Sequence, residues 1–537
     1  MIDERKIAVV VFNSDGVSYE KVKQIIEYCS LPENFHLDFI VTSNGKNRIE
    51  AYNKAISQSN AKYKFYIDEH ISWLHENLFE KFIRLFSDNP KIGAMGCIGT
   101  TEIPLDGIAY QASIEKIYGS CFIGENKILT QGAKFDGAYK EVQCIFDGLI
   151  ATQYDLQWRE DLFTSYYNCF EFPSQCIEFL RNDYKVVVIS QDSPLIWKIN
   201  DNYPAPKSEQ QAFLKEYSAD IFPLVSIIIP TFERPHYFKL ALESALNQTY
   251  LNLDIMITDN SNNDETEKLM QPYLEKDKRI KYYHHRDFDR GDNWRFARNY
   301  NNPKAEYVNW LMDDDLFFPR KIELMVDCYR KNPDVSLVFS NRLFIDSESE
   351  IINQNLLSKE NFKMSGDEAG RQLFFHDNII GEPTTVLIKK EYLRDNDLGW
   401  TAVEATFERV DFSTWLHLLT QGNLFYFAEP LSCLRVHDEQ ASKQIKTQIN
   451  FVVEYIYEIF YAWDNQFFLK TVNDFRTAAL FTMGLAFQKL QLAYSVGYSG
   501  ANLGALEKSV RDLADRLMLI SSKEKTGGVV ADIHSGV

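Results

Sequence analysis

Two continuous β-branched runs, "KIAVVVF" from Lys6 and "PLVSIIIPTF" from Pro223, constrain this chain more than any other feature. A strand with one wet face alternates apolar and polar side chains, whereas a parallel strand buried on both faces does not. Parallel strands need crossover connections, so each run predicts the opening of an α/β unit with helices on its faces. The same rhythm follows each run. After the first come "LDFIVTSNG" and "NKAISQSNAKYKFYIDEH"; after the second come "LDIMITDNSNND" and "NYNNPKAEYVNWLMDDD". Each pair reads as strand, polar loop, helix, then a strand ending in acids. Two such matches in the same order predict a tandem of related domains.

A length of 537 residues supports two to four domains. The first is expected over residues 1–202 and the second over 222–442. Between them "NDNYPAPKSEQQAF" is polar and proline-bearing, which predicts a linker over 203–221. Residues 443–537 turn helical, with "FVVEYIYEIFYAW" and "DFRTAALFTMGLAFQKLQLAY" placing apolar side chains at three and four spacing. That region could cover a site, pair two copies of the chain as a homo-oligomer, or simply pack into a core. Its end, "KEKTGGVVADIHSGV", reads as a frayed tail.

A net charge of −19 excludes a broad nucleic-acid surface, which needs clustered positive charge. It leaves room for a local basic pocket. The eight cysteines show no CxxC pair and read as buried thiols of a reducing compartment. No apolar segment approaches the roughly 18 residues of a membrane span. The expected location is cytoplasmic, and a peripheral position at the inner face of a membrane is compatible with it.

The stretch "YVNWLMDDDLFFP" from Tyr307 ends in three adjacent aspartates, each raising the cost of ionising its neighbours. If the strand ran on through them, Asp313 and Asp315 would share a face and Asp314 would take the other. Two same-face carboxylates at a strand's C-terminal end suit Mg²⁺ or Mn²⁺. An acidic entry to the helix expected at Pro319 explains them equally well. Asp259, in "TDNSNND", could bind a base or ribose or close an Asx turn. "HHRDFDRGDNWRFARN" concentrates Arg286, Arg290, Arg295 and Arg298, suited to phosphate oxygens or to ordinary surface pairs.

From Val225 to about Ser442 the chain resembles the family 2 glycosyltransferases. The motifs are "VSIIIPTFERP", "ITDNSNND", "NWRFARN", "AEYVNWLMDDDLFFP", "GEPTTVLIKKEYL" and "VDFSTWLHLLTQGNLFYFAEPLSCLRVHDEQAS", in family order. The resemblance implies two tandem GT-A (Rossmann-like α/β) domains plus the helical C-terminal region. It implies a metal-dependent inverting hexosyl transfer from a nucleoside-diphosphate sugar, uridine donors first, to a hydroxyl of a glycan or glycoprotein. Bacterial surface polysaccharide or protein glycosylation would be the setting. Thr231, Glu233, Asp259, Arg298, Asp313 and Asp314 would bind the donor. Asp315, Asp313 and His437 would hold Mn²⁺ or Mg²⁺. Asp411 would be the base, with Glu404 and Glu408 as nearby substitutes and helix capping as its structural alternative. "IIGEPTTVL" would lie at the acceptor side, although Gly381 and Pro383 also suit a plain turn.

Residues 6–202 resemble a more divergent domain of the same type. Ser43 stands where the second domain has Asp259, Asp68, Glu69 and His70 fill the metal position, and Asn200 replaces the expected histidine. A neutral amide is a poor substitute for an imidazole ligand. Asp147, Glu160 and Asp161 are its candidate acids, with capping and salt bridges as the alternative. Two other readings compete for the whole chain: a non-catalytic carbohydrate-binding tandem, and a nucleotidyltransferase using the same acids.

Overall fold

A computed structural model describes residues 2–12, 18–42, 47–146, 148–165, 169–199, 204–354, 356–393, 410–437 and 443–525. The chain divides into two compact units, Met1–Phe222 and Pro223–Val537.

In the first unit, strand Asp3–Phe12 lies between His36–Thr42 and Ala61–Ile67 and runs parallel to both. Its run from Ile7 to Phe12 is buried, as a strand covered on both faces requires. Strand Leu149–Thr152 then pairs antiparallel with Ala61–Ile67. The stretch expected as a linker differs from that reading: Lys207–Ile221 is a helix belonging to this unit. Phe213, Tyr217 and Ile221 recur every fourth residue and are buried along one face. The Phe213 ring stacks on Phe170 at 5.2 Å. Polar residues on the other face hid this stripe.

The second unit repeats the order. Strand Leu224–Thr231 lies between Leu253–Asp259 and Ala305–Trp310, parallel to both, with Ile280–His284 outside and Val386–Lys389 antiparallel beyond. Register sets Thr231 opposite Asp259, so the polar loops after both strands open at one edge. Strand Ala305–Trp310 stops before the acids, which occupy the following turn. The expected alternation of Asp313 and Asp315 on one face therefore gives way to turn geometry. Strands Val335–Ile345 and Asn423–Arg435 run parallel to each other and complete the sheet.

Helices Gly366–His376, Val410–Leu419, Ile445–Asp464, Val472–Ser495 and Ala501–Lys525 contribute to this unit's core. The run "YIYEIFYAW" does core packing. Tyr455, Ile456, Ile459 and Trp463 are buried, and the Tyr455 ring meets Phe412 edge-on at 5.1 Å. Gly370 admits the Phe468 ring so closely that a Cβ there would fall 2.3 Å from it. Of the expected tail, residues 526–537 lie outside the described ones.

Candidate active site

The acidic turn is held from two sides. Thr231, at the end of its strand, donates from Oγ1 to Asp313 Oδ2 at 2.9 Å. Arg234 NH1 lies 3.1 Å from Asp314 Oδ2 and 3.7 Å from Asp313 Oδ1. From the opposite side, His437 Nε2 lies 3.0 Å from the same Asp314 oxygen. Asp315 differs from both. It turns inward, fully buried, accepting from Thr384 Oγ1 at 2.6 Å and from the Arg435 amide at 3.0 Å. Both of its oxygens accept from protein donors, and Asp314 is the carboxylate that faces His437.

Arg435 organises the turn from within. Fully buried, it donates from Nε to the Asp314 carbonyl at 2.8 Å, and its guanidinium lies 4.6 Å from the Tyr237 ring centre. Tyr237 also borders His437, with ring centres 5.7 Å apart. Burial, and next the charge of Asp314, push the Asp313 carboxyl up to about 7, with Arg234 pulling the other way. The same two causes, in that order, raise Asp315 well above the carboxylate range. Burial and mutual repulsion thus make the charged form costly at Asp313 and Asp315.

The neighbouring loops carry the remaining donor candidates. Asp259 is buried, accepting from the Ser261 amide at 2.8 Å and the Tyr282 hydroxyl at 2.6 Å, which is the Asx-turn geometry. Burial, followed by Asp259 itself, raises the Tyr282 phenol. Glu233 takes a left-handed backbone with φ 50°, at a cost of about 1–2 kcal/mol for a residue bearing a Cβ. Its amide donates to Ser261 Oγ at 2.8 Å, stitching the two loops together. Asn293, from the "NWRFARN" helix, donates to the Thr258 carbonyl at 3.2 Å and fastens that helix to the strand ends. Arg298 is half-buried in the last turn of the same helix, and the guanidinium set against the acids is that of Arg234. Arg286 pairs with Asp264, Arg295 with Asp292 at 2.5 Å, and Arg290 is exposed at the helix start.

Asp411 lies in the first turn of helix Val410–Leu419 and accepts from Asn378 Nδ2 at 3.3 Å. Asn378 in turn accepts from the Gly381 amide at 3.0 Å, and Trp415 Nε1 donates to the Gly381 carbonyl at 3.1 Å. Gly381 is more than turn punctuation. Its φ is +94°, and a Cβ would sit 2.6 Å from the Arg342 guanidinium. The loop that fixes Asp411 thus also delivers Thr384 to Asp315. Glu404 and Glu408 lie outside the described residues, as do Ser43, Asp147 and Asn200.

Asp314 and His437 offer one oxygen and one nitrogen donor, which fit Mn²⁺ or Mg²⁺ with positions left for phosphate and water. Among the described residues no group of three or more His, Cys, Asp or Glu is gathered as a ready-made cluster. In the first unit the corresponding acid is enclosed. Asp68 lies 3.5 Å from Arg48 NH1, 3.6 Å from Lys198 Nζ and 2.9 Å from His70 Nδ1. Arg48 also pairs with buried Glu171 at 2.6 Å. Glu160 accepts from Asn53 at 3.3 Å and Asp161 from Arg159 at 2.8 Å.

Sequence reading missed Arg234, Arg435 and Tyr237. Arg234 stands within "PTFERP" and Arg435 within "LRVHDEQAS", so the motifs held the signal, but nothing local says which acid each one meets.

Residues 8–217 match a family described as Glycosyltransferase like family, and residues 226–396 match Glycosyl transferase family 2. Uncharacterized glycosyltransferase RT0329 of Rickettsia typhi is 32% identical over 242 residues, covering 43% of this chain and 69% of that protein. The GalNAc(5)-diNAcBac-PP-undecaprenol beta-1,3-glucosyltransferase of Campylobacter jejuni is 29% identical over 129 residues, 24% of this chain and 41% of that one. A solved structure of S. aureus TarS 1-349 in complex with UDP covers 55% of this chain and 83% of its own, at 14% identity and a TM-score of 0.40. No helix among the described residues is long and apolar enough to cross a membrane.

Proposed function

Since this chain belongs to the family 2 glycosyltransferases, we propose that its second unit transfers a sugar, with inversion, from a nucleoside-diphosphate donor to a hydroxyl of a glycan or glycoprotein. The observation that carries this reading is the convergence of Asp314, His437 and Arg234 at the C-terminal edge of parallel strands, 3.0 to 3.1 Å apart around one carboxylate oxygen. That edge is where open α/β sheets bind ligands.

Asp314 and His437 would hold Mn²⁺ or Mg²⁺, which when bound supplies Lewis-acid stabilisation of the departing diphosphate. Arg234, released in part from Asp314, would meet phosphate oxygens with its planar fork. Thr231 keeps Asp313 oriented, and Arg435 holds the turn's backbone. Asp411 would take the proton from the acceptor hydroxyl at one carboxylate oxygen while Asn378 steadies Oδ2. A single base acting opposite the leaving group yields inversion. Uridine donors are the first to try. The Campylobacter relative is named as a glucosyltransferase on an undecaprenol-linked glycan, so a lipid-linked bacterial glycan is the first acceptor class, with protein glycosylation next. The first unit would bind acceptor or serve as a scaffold.

The test is release of UDP from UDP-sugars by the purified chain with Mn²⁺ and with EDTA. The expected outcome is turnover with metal and none after chelation. Pyrophosphate release from a nucleoside triphosphate and a sugar phosphate would assign nucleotidyl transfer instead. Absence of both would leave a carbohydrate-binding tandem.

A further inference from the structure

Lys321 opens the helix Lys321–Lys331 that follows the acidic turn, and it is fully buried. Three costs meet at this residue. A helix N-terminus disfavours positive charge, burial strips the ammonium of its water, and no carboxylate among the described residues pairs with it. Burial accordingly pushes its amine well below the ordinary lysine range. What the amine meets is a carbonyl. Nζ donates to the Thr385 carbonyl at 3.1 Å, with Met325 Sδ at 3.2 Å and the Phe317 ring centre at 5.2 Å. A methionine would fill much the same space without those costs, so the bond to Thr385 is what a lysine adds here.

Thr385 is a junction. Its Oγ1 donates to the Ile380 and Glu382 carbonyls, at 3.0 and 2.8 Å. Beside Ile380, the Gly381 amide donates to Asn378 Oδ1, and Asn378 Nδ2 donates to Asp411 Oδ2 at 3.3 Å. Beside Thr385, Thr384 Oγ1 donates to Asp315 at 2.6 Å and accepts from the Met312 amide at 3.2 Å. The Pro383 carbonyl is fixed as well, by Nδ2 of buried Asn309 at 2.9 Å. The turn Pro383–Thr385 therefore joins the acidic turn to the loop that holds Asp411, and Lys321 grips it from the helix side.

We infer that Lys321 is a positioning residue: through Thr385 it sets where the Asp411 carboxylate stands relative to the acidic turn. The inference rests on the transferase reading of this unit and on Asp411 as its base. Proton removal is steep in distance, and a misplacement of about 1 Å can cost about a hundredfold in rate. Donor binding belongs to the acidic turn and Arg234 and does not pass through this link.

The experiment is a double-mutant cycle on the full chain. It reads single-turnover UDP release, per folded molecule, from a panel of UDP-hexoses and UDP-N-acetylhexosamines with Mn²⁺, water taking the sugar. Lys321→Met removes the amine at similar volume. The rate should fall by about 10–100-fold, with the half-saturating donor concentration within about twofold of the wild type. In an Asp411→Asn background the same change should cost less than about twofold, because the base it positions is already gone. Thr385→Val cuts the next link and leaves the amine in place. It should behave in the same way, and it carries the test if Lys321→Met does not fold. An unchanged rate per folded molecule, or a loss that multiplies with that of Asp411→Asn, would overturn the positioning role and leave the donor reading intact. An Asp411→Asn chain as fast as the wild type would instead remove the base, and a wild type that releases no UDP would remove the transferase reading itself.

Discussion

In the first unit Asp68 is flanked by Arg48 and Lys198, both almost fully buried; in the second, Asp313 and Asp314 share the half-buried Arg234 and Asp314 faces His437. Both turns follow a strand that lies between the unit's first strand and an antiparallel neighbour, and the second unit adds Ile280–His284 outside its second strand. What differs is where the positive charge comes from. A buried carboxylate already matched by an arginine and a lysine has little left to offer a cation, and breaking such a match is costly. In the second turn burial and the charge of Asp314 raise both Asp313 and Asp315. One fold thus yields a closed ion-pair cluster in one unit and a turn of three adjacent carboxylates in the other.

The sharpest attempt to break this comparison is Asp314→Ala. Metal-dependent release of UDP should fall by at least about a hundredfold, because it removes the carboxylate that faces His437; the matching loss of Mn²⁺ binding is measurable by titration. Turnover that survives this change would move the metal role elsewhere. Asp411→Asn should lower turnover by about 10²–10⁴-fold and leave UDP binding intact. Normal turnover in that variant would take the base away from Asp411.

The reciprocal change in the first unit, Asp68→Ala, removes the carboxylate between Arg48 and Lys198 and leaves Arg48 its pairing with Glu171. It should destabilise the unit by about 3–5 kcal/mol, seen as a lower melting temperature, while turnover per folded molecule stays within about twofold. Lost turnover at unchanged stability would make the first unit a second catalytic centre.

A smaller effect separates the turns by pH. With the folded Asp313 carboxyl raised to about 7 and the unfolded one near the ordinary value of about 3.9, the native state holds a proton that the unfolded state has released. Metal-free stability should therefore rise as pH falls from about 8 towards 5 and level off below about 4. The gain should be a few degrees in melting temperature, and Asp313→Asn should reduce it, the remainder coming from Asp315, which burial and Asp314 also raise. A melting temperature that instead falls over this interval, equally in wild type and variant, would remove the proton-retention account of the turn.

Much of the architecture is legible in the chain. The β-branched runs at Lys6 and Pro223 announce buried parallel strands, and the acids after Trp310 mark the C-terminal edge of those in the second unit. Motif order brings His437 towards that edge before any coordinates are seen. Two readings differ from the structure for separate reasons. Asp313 and Asp315 were set on one face by extending strand periodicity through residues that form a turn, and helix Lys207–Ile221 was taken for a linker because its polar face outnumbers its buried stripe.

The amino-acid order alone determined the tandem α/β plan, the helical C-terminal region and the place of the acidic cluster, because periodicity, turn residues and burial act over a few neighbours. Which cation meets which acid was decided only by the tertiary structure. Arg234 reaches Asp314 across 80 residues and Arg435 reaches it across 121, and Coulomb attraction depends on distance in space, to which sequence separation is blind.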